Sequence, residues 1–381
     1  MKQFDIIIVG AGAAGLSAAA AAIKRNKSVA ILDMGNAPAR KVAVSGGGKC
    51  NITNDAVGAD RYWGENPNFV RSAISRVTPA NIRNWARYHG LELYEKTPGR
   101  YFCKDGADAV VRALIDDARG ATFLTNVQVE KIIKVNNMFH VNNLWAKSVV
   151  LATGGISFPI LGVSDYGYKI AKAFGHKIVP PRPALCTINI AGIPQSMAGI
   201  SLNAEIKIGK YVVQDSMLIT HLGIGGPAAY RASVSDIEHG MIINMCPDVD
   251  VFTFLGNAKS RVGKKTIANV LSEILPDKVA RWIVQNDNRR IADIKNADLK
   301  KYALMVNHWS IPAENIKLGG MKSAEVVRGG VATDNISSKS MESKLCAGLF
   351  FAGEIIDIAG DLGGFNLHWA WASGWVAGNN A

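Results

Sequence analysis

A strand, a glycine turn, a helix and a second strand can be read from the first 33 residues, and this run limits what the remaining chain can fold into. The apolar stretch Ile6 to Val9 ends in Gly10-Ala11-Gly12-Ala13-Ala14-Gly15, an alanine-rich segment follows to about Arg25, and a second apolar stretch, Ser28 to Leu32, ends on Asp33. Gly10 permits the tight turn out of the strand, Gly12 lets the backbone approach a pyrophosphate, and Gly15 lets helix and strand pack closely. The N–H groups at the helix start, at Ala13 and Ala14, lie where the partial positive charge of the helix would meet phosphates. Asp33, with Met34 beside it, follows the second strand where a carboxylate accepts from a ribose hydroxyl. The expectation is a parallel α/β fold of the Rossmann kind that binds a dinucleotide.

A second signal follows at once. Ser45-Gly46-Gly47-Gly48-Lys49-Cys50-Asn51-Ile52-Thr53-Asn54 places three consecutive glycines before small polar residues, a pattern that suits neither helix nor ordinary strand. Such a loop presents backbone donors and lets a flat ring approach. Cys50 within it has two readings: a thiol made reactive by those donors, or a small residue packed near the ring.

Further on, the pattern predicts helix over about Asn68 to Gly90, with Pro79 near a helix start, and helix over Asp108 to Arg119. Strands are predicted over Val127 to Val135, Met138 to Asn142 and Leu144 to Leu151, with the Val129 backbone at an adenine edge. The run Ser148 to Gly155 closes a buried strand on Ala152-Thr153-Gly154, small residues that let the chain pass a cofactor. A helix starts near Asp165. Pro180, Pro181 and Pro183 then break the pattern, which suggests a domain exit near Leu185.

From Thr187 to about Val251 short alternating runs suggest an antiparallel barrel or sandwich; within them Thr220-His221-Leu222-Gly223-Ile224-Gly225-Gly226-Pro227 leads into a helix. Residues 256 to 308 read as helical and basic. The end returns to the opening theme: Gly348 to Glu354 is a buried strand closing on Ala352-Gly353-Glu354, followed by Asp357 and by Gly363-Gly364-Phe365-Asn366-Leu367 at the start of an apolar helix. A helix start aimed at a flavin would stabilise negative charge on the reduced ring. The nucleotide domain is therefore expected to be discontinuous: residues 1–186 and 324–381, interrupted by a barrel-like part at 187–255 and a helical part at 256–323. The tryptophans of the last helix, Trp369, Trp371 and Trp375, read as packing.

Charge and cysteines narrow the function. The net charge is +12, and Gly256 to Ser310 alone carries eleven Lys/Arg against five acids, half of that total in a seventh of the length. A solvated helical face explains this, and nucleic-acid contact is the alternative. Five cysteines form no CxxC, so reduced thiols in the cytoplasm are expected and no disulfide-reductase cycle. No stretch has the length and apolarity of a signal peptide or a membrane span. No metal site is expected.

Together the segments IIVGAGAAGL, RKVAVSGGGKCNITN, VLATGGISFPILGVSDYGYKIAKAFGH, THLGIGGPA, the GGV at Gly329 to Val331 and GLFFAGEIIDIAGDLGGFNLHWAWASGWVAG resemble flavoproteins of the YhiN/BaiN type, also described as aminoacetone-oxidase-like enzymes. This resemblance spans nearly the whole chain and implies a glutathione-reductase-like FAD domain with a barrel-like and helical insert. It implies that FAD touches Gly10, Gly12, Gly15, Asp33, Arg40, Lys41, Ser45, Gly46, Gly47, Gly48, Asn51, Thr153, Gly154, Gly353, Glu354, Gly364, Asn366 and Leu367. Ala13, Ala14, Met34, Thr53, Val129, Ala152, Asp357, Gly363 and Phe365 complete the candidate cofactor set. The chain departs from the family at Asp33, where glutamate is common in such folds, and at Cys103, Gly225, Phe365 and His368, the last standing where the family has glutamine.

The expected activity is an FAD-dependent oxidoreduction of a small organic substrate; no second complete GxGxxG is present, so a separate NAD(P)H domain is not expected and NAD(P)H is allowed as a transient donor, while the resemblance implies either NAD(P)H-dependent reduction of an unsaturated ketone or oxygen-dependent oxidation of a small amine. The alternative is an FAD protein that binds or modifies nucleic acid through the basic insert. His221, before a glycine turn, is the first candidate for proton transfer; His368 and Cys50 are the rivals.

Overall fold

The computed structural model describes residues 2–285 and 287–381. They divide into two compact units, one made of the chain up to Arg182 together with Glu325–Ala381, the other of Pro183–Ala324.

The first unit is built on the opening run. Strand β1 (Lys2–Val9) leads through Gly10 into helix α1 (Ala13–Ile23), and strand β2 (Val29–Leu32) returns beside β1 in parallel. Apolar residues fill both strands because helices cover the two faces of a parallel sheet. The parallel strands run in the spatial order Thr122–Leu124, β2, β1, Leu144–Leu151, Leu349–Phe351. Read in sequence this is 3-2-1-4-5, with the order reversing between β1 and Leu144–Leu151, where such sheets open a ligand crevice. The strand Leu144–Leu151 is shared on its far side: its first residues pair antiparallel with Met138–Val141, its last with Leu349–Phe351.

The C-terminal helix, Phe365–Asn380, packs on α1. The contact is made possible by small residues. A Cβ on Gly374 would stand 2.2 Å from the Ala14 carbonyl oxygen, and one on Gly378 would stand 2.0 Å from that of Ala18. Trp369 and Trp371 are buried, donating their indole N–H to the carbonyls of Gly353 (3.2 Å) and Ile52 (2.9 Å).

Several elements differ from expectation. The helix foreseen over 68–90 is two, Arg71–Arg76 and Pro79–Tyr88, because Pro79 starts the second behind a Thr78 capping box. The strand foreseen from Val127 begins at Ile132; residues 127–130 are irregular and the Val127 N–H donates instead to the Asp33 carbonyl (3.0 Å). The prolines at 180, 181 and 183 lie inside a strand, Ile178–Ala184, and the chain passes to the second unit at Pro183, close to the exit expected near Leu185. That strand has one neighbour, Val326–Val331, so its missing donors cost no second ladder.

The second unit has its own apolar core. Its seven strands form one antiparallel sheet in the order Trp309–Ile311, Met241–Asn244, Ser201–Ile208, Tyr211–Ile219, Gly223–Gly225, Ile188–Ile190, Ile316–Leu318. Two of these strands lie beyond residue 255. The helices Val251–Val262, Ile267–Leu271, Asp277–Val284 and Asn296–Asn307 are thus looped out between two neighbouring strands of that sheet and do not form a separate part. Among the described residues no helix is long and apolar enough to cross a membrane.

Candidate cofactor and active site

At the reversal point of the sheet β1 and Leu144–Leu151 end side by side. The Gly10 backbone (φ +107°) passes so near Ala152 that a Cβ would stand 2.4 Å from the Ala152 carbonyl oxygen. A Cβ on Gly15 would stand 1.9 Å from the Gly10 carbonyl oxygen. Gly12 is different: nothing lies within 4 Å of where its Cβ would be, and its backbone is ordinary extended chain. Its hydrogen therefore faces open space at the start of α1. That start has no side-chain cap and no acidic residue in its first turn, so the N–H groups there have no partner within the helix. Gly154 (φ +75°), Gly47 and Gly48 also border open space. The Gly12 turn is thus a cradle that leaves the backbone donors at the start of α1 beside open space, the surroundings that a bound pyrophosphate requires.

The acid after β2 is held through both carboxylate oxygens, each of which keeps a further lone pair. Asp33 accepts from the N–H of Ala11 and of Gly35, each at 2.7 Å, and thereby fixes the glycine turn against the loop after β2. The Arg40 guanidinium lies over Gly35, 3.6 Å from the Asp33 carboxylate, and donates to the Leu161 carbonyl. Met34 is exposed and Val129 is buried, following the segment that the Asp33 loop anchors.

Lys41 sits at a second junction. Its ammonium is 2.7 Å from both Glu354 Oε2 and Ser157 Oγ, while Glu354 Oε1 accepts from the Val327 N–H at 2.9 Å. Ser157 is fully buried and escaped the sequence reading; its signal is its place in the GGIS run just after Gly154. Thr153 packs against Gly167, where a Cβ would strike its hydroxyl.

The glycine triplet forms a tight turn with Gly46, Gly47 and Gly48 all at positive φ. Ser45 closes it by donating to the Val42 carbonyl (2.7 Å). Asn51, with its amide turned to satisfy both neighbours, donates to Tyr101 O and accepts from Gly364 N, each at 3.2 Å. Gly363 (φ +114°) and Gly364 (φ +94°) form the second cradle, at the uncapped start of the C-terminal helix. A Cβ on Gly364 would stand 2.6 Å from the Thr53 carbonyl oxygen, and Arg100, also missed from sequence, covers Gly363. The GR pair at 99–100 was the available signal.

The two helix starts are staggered. Ala14, second in α1, lies against Gly374, tenth in the C-terminal helix, and Ala18 against Gly378, so the helices run in the same direction. Their starts are offset by eight residues, about 12 Å at 1.5 Å per residue. The two uncapped N-termini thus point in the same direction and are staggered along it.

Several expected contacts turn out to hold the frame. The Asn366 amide is spent on Gly360, accepting from its N–H (2.7 Å) and donating to its carbonyl (2.9 Å). Phe365 packs edge-on against Tyr62. Asp357 is buried and accepts from the N–H of Glu65 (2.8 Å) and Gly329 (3.0 Å); burial pushes its carboxyl above the ordinary range. Gly353 donates to Ser373 (2.9 Å) with its own hydrogen against Ala14. These residues, with Thr53, leave Leu367 and the backbone N–H groups as what the helix start offers.

Two of the three candidate catalytic residues, His368 and Cys50, lie in the packed interior. His368 is fully buried, its Nδ1 2.8 Å from Thr53 Oγ1 and its Nε2 2.8 Å from the Val77 carbonyl; burial lowers its pKa to about 4. It ties the C-terminal helix to its neighbours and is no proton donor near neutrality. Cys50 is buried at positive φ, and burial pushes its thiol up to about 12. It packs in the core, where burial disfavours the thiolate. His221 is exposed in the turn between Tyr211–Ile219 and Gly223–Gly225, where Thr220 Oγ1 accepts from the Gly223 N–H at 3.1 Å. Among the described residues no group of three or more His, Cys, Asp or Glu is placed to hold a metal ion.

Comparison with known proteins agrees with this geometry. The ribosomal RNA dihydrouridine synthases of Escherichia coli (strain K12) and Haemophilus influenzae (strain Rd) are 34% and 36% identical, each over 99% of this chain and 97% and 98% of theirs. The 3-dehydro-bile acid delta(4,6)-reductase of Clostridium scindens is 28% identical over 98% of both chains. The solved 3-ketosteroid-delta4-(5alpha)-dehydrogenase of Rhodococcus jostii RHA1 shares the fold, with a TM-score of 0.50 at 14% identity over all of this chain and 96% of that one. The model of the HI0933-like protein Rossmann domain matches residues 4–380. The chain therefore belongs to the HI0933-like Rossmann family of the YhiN/BaiN type, and it is an FAD-dependent oxidoreductase.

Proposed function

We propose that this protein reduces a carbon–carbon double bond conjugated to a carbonyl, and that the bond is the 5,6 bond of a uridine in ribosomal RNA. The observation that carries this reading is the 36% identity, over almost the full length of both chains, to a protein named ribosomal RNA dihydrouridine synthase. The sequence alone puts a small organic substrate first and nucleic acid second; the identity to the ribosomal RNA enzymes supports the second. A small unsaturated ketone is the second reading, favoured by the 28% identity to a bile acid reductase. Both names describe saturation of the same kind of bond.

Bound FAD supplies the hydride equivalent for such a reduction, and NAD(P)H is proposed as its transient source. In balance, uridine, NAD(P)H and a proton give dihydrouridine and NAD(P)⁺. The chain's own residues have four tasks. Backbone N–H groups at Ala13, Ala14 and the Gly12 turn would hold the pyrophosphate, with Asp33 at the adjoining ribose. The loops of Ser45 to Gly48 and Thr153 to Gly154 would flank the rest of the cofactor, while Lys41, set by Glu354 and Ser157, places a positive charge beside them. The open N–H groups before Leu367 would favour negative charge on the reduced ring. His221, an exposed imidazole on a turn fixed by Thr220, is the residue we propose to test for proton delivery.

The test is direct. Purified holoprotein is incubated anaerobically with NADPH or NADH and unmodified ribosomal RNA made by transcription, and the digested nucleosides are analysed for dihydrouridine. Dihydrouridine at a defined site supports the reading. Reduction of an unsaturated steroid ketone with none in RNA selects the second.

A further inference from the structure

The cations of the second unit are not evenly neutralised. Of the five acids between residues 256 and 310, four are taken up by the segment's own arginines and lysines. Glu273 pairs with Arg261 and Lys265 (2.6 and 2.9 Å), Asp277 with Arg281 (2.8 Å), and Asp287 and Asp298 both with Arg289 (2.7 and 2.9 Å). Lys264, Lys278, Arg290, Lys295, Lys300 and Lys301 keep no carboxylate partner among the described residues. Two of them stand on one groove. Lys300, Lys301, Leu304 and His308 recur at helical spacing along the exposed side of Asn296–Asn307, and between this stripe and the strand Trp309–Ile311 lies a groove of about 390 Å³. No carboxylate lines it.

The floor of the groove is apolar and aromatic. Leu304 is 51% exposed, too much for a side chain that serves only the core. Trp309 is half-buried, its ring held edge-on by Trp282 at 5.1 Å, so one part of the indole is fixed while the rest borders the groove. Lysines at the rim and a fixed aromatic ring at the floor are what a nucleic-acid strand needs: cations for phosphates, and a flat surface for a base. A solvated helical face needs neither an apolar floor nor a carboxylate-free rim. An anionic partner without bases, such as a lipid surface, would use the charge but has no use for the ring.

We propose that this groove holds a single-stranded stretch of the RNA substrate, with Lys300 and Lys301 on its phosphates and Trp309 against a base. The proposal rests on the RNA reading given above. It is tested with Lys300→Ala/Lys301→Ala, since both side chains are exposed and unpaired, and separately with Leu304→Glu, which puts a carboxylate on the groove floor. The control is Lys24→Ala/Lys172→Ala, two exposed lysines of the first unit.

Binding of a labelled, uridine-containing single-stranded RNA is followed by anisotropy across a salt series, beside dihydrouridine formation in ribosomal RNA. The groove pair is expected to weaken binding on the order of tenfold and to flatten the log–log salt slope by about 1.4, at about 0.7 per phosphate contact. Leu304→Glu is expected to weaken binding comparably, the control pair to leave the slope near wild type, and flavin reduction by NAD(P)H to stay unchanged in all. A wild type that forms dihydrouridine while the groove pair keeps wild-type affinity and slope overturns the groove alone. A wild type that neither binds RNA nor forms dihydrouridine overturns the RNA reading and the groove with it, as does retention only on phosphatidylserine vesicles.

Discussion

Gly374 lies against the carbonyl oxygen of Ala14 with no room for a methyl group, since a Cβ there would stand 2.2 Å from that oxygen. Gly12, two residues before Ala14, has nothing within 4 Å. The same side chain added at these two sites should therefore fail differently. Gly12→Val should fold with near wild-type stability and purify without its yellow colour, because the valine fills the phosphate cradle. Gly374→Val should lose at least about 1–3 kcal/mol by overpacking, with loss of FAD following from unfolding. Thermal melts of the FAD-stripped proteins separate the two; a yellow, fully loaded Gly12→Val would remove the cradle assignment.

Burial lowers the pKa of His368 to about 4 from the ordinary 6.5. Between those values the unfolded chain binds more protons than the folded one, so stability is complete above about pH 6.5 and falls as pH drops towards 4. The loss attributable to this group is roughly 3 kcal/mol once both states are protonated. His368→Gln keeps a side chain that hydrogen-bonds and does not titrate, and should flatten the melting temperature across this window. An unchanged acid slope would show that the imidazole titrates freely.

Lys41 and Glu354 are 2.7 Å apart with the lysine side chain about a third exposed, so solvent screens part of their attraction. A double-mutant cycle with Lys41→Met and Glu354→Gln should give a coupling of about 1 kcal/mol in stability. Lys41→Met should also weaken FAD binding, read by titration of the stripped protein. Additive effects on stability would show that the two side chains act separately.

Cys50 and Cys103 are buried and Cys246 and Cys346 half-buried. Alkylation proceeds through the thiolate, and burial raises all four thiols, with Cys50 pushed up to about 12. Native protein treated with iodoacetamide at pH 8 should label at Cys246 and Cys346 and stay unlabelled at Cys50. Cys50→Ser should retain flavin reduction; early labelling of Cys50 by mass spectrometry would restore it as a candidate nucleophile.

His221→Ala should retain FAD and its reduction by NAD(P)H, and should slow transfer to substrate by about 10²-fold or more if the imidazole delivers the proton. Stopped-flow measurement of the two half-reactions distinguishes this from a binding defect. A wild-type second half-reaction at every pH would remove His221 from the site.

The backbone part of the site was legible in the chain because glycine leaves a written trace wherever a strand must pass another atom closely. Gly10, Gly15, Gly364 and Gly374 are each pressed against a carbonyl, and all but the last were read in advance from spacing. Polar side chains were less legible. Asp357, Thr53 and His368 stand beside glycine turns, as ligand contacts do, but their partners come from distant segments: Gly329 for Asp357, His368 for Thr53, Val77 for His368. Nothing local announces such pairings. Ser157 and Arg100 were missed for the converse reason, since a lone serine or arginine has no periodicity to mark it. The proline-rich strand misled because one-sided pairing, which makes proline tolerable, is a property of the sheet and not of the strand.

Because Leu349–Phe351 and Phe365–Asn380 complete the first unit, biosynthesis imposes an order on this protein. The Ala14–Ala18 face of α1 emerges from the ribosome early and waits for Gly374 and Gly378, more than 350 residues later, to cover it. The second unit, contiguous from Pro183 to Ala324, can condense while that face is still open. A chain that lacked residues 349–380 would hold a finished insert on a nucleotide domain missing one strand and its covering helix, and it would expose alanine where the folded chain has a close-packed seam.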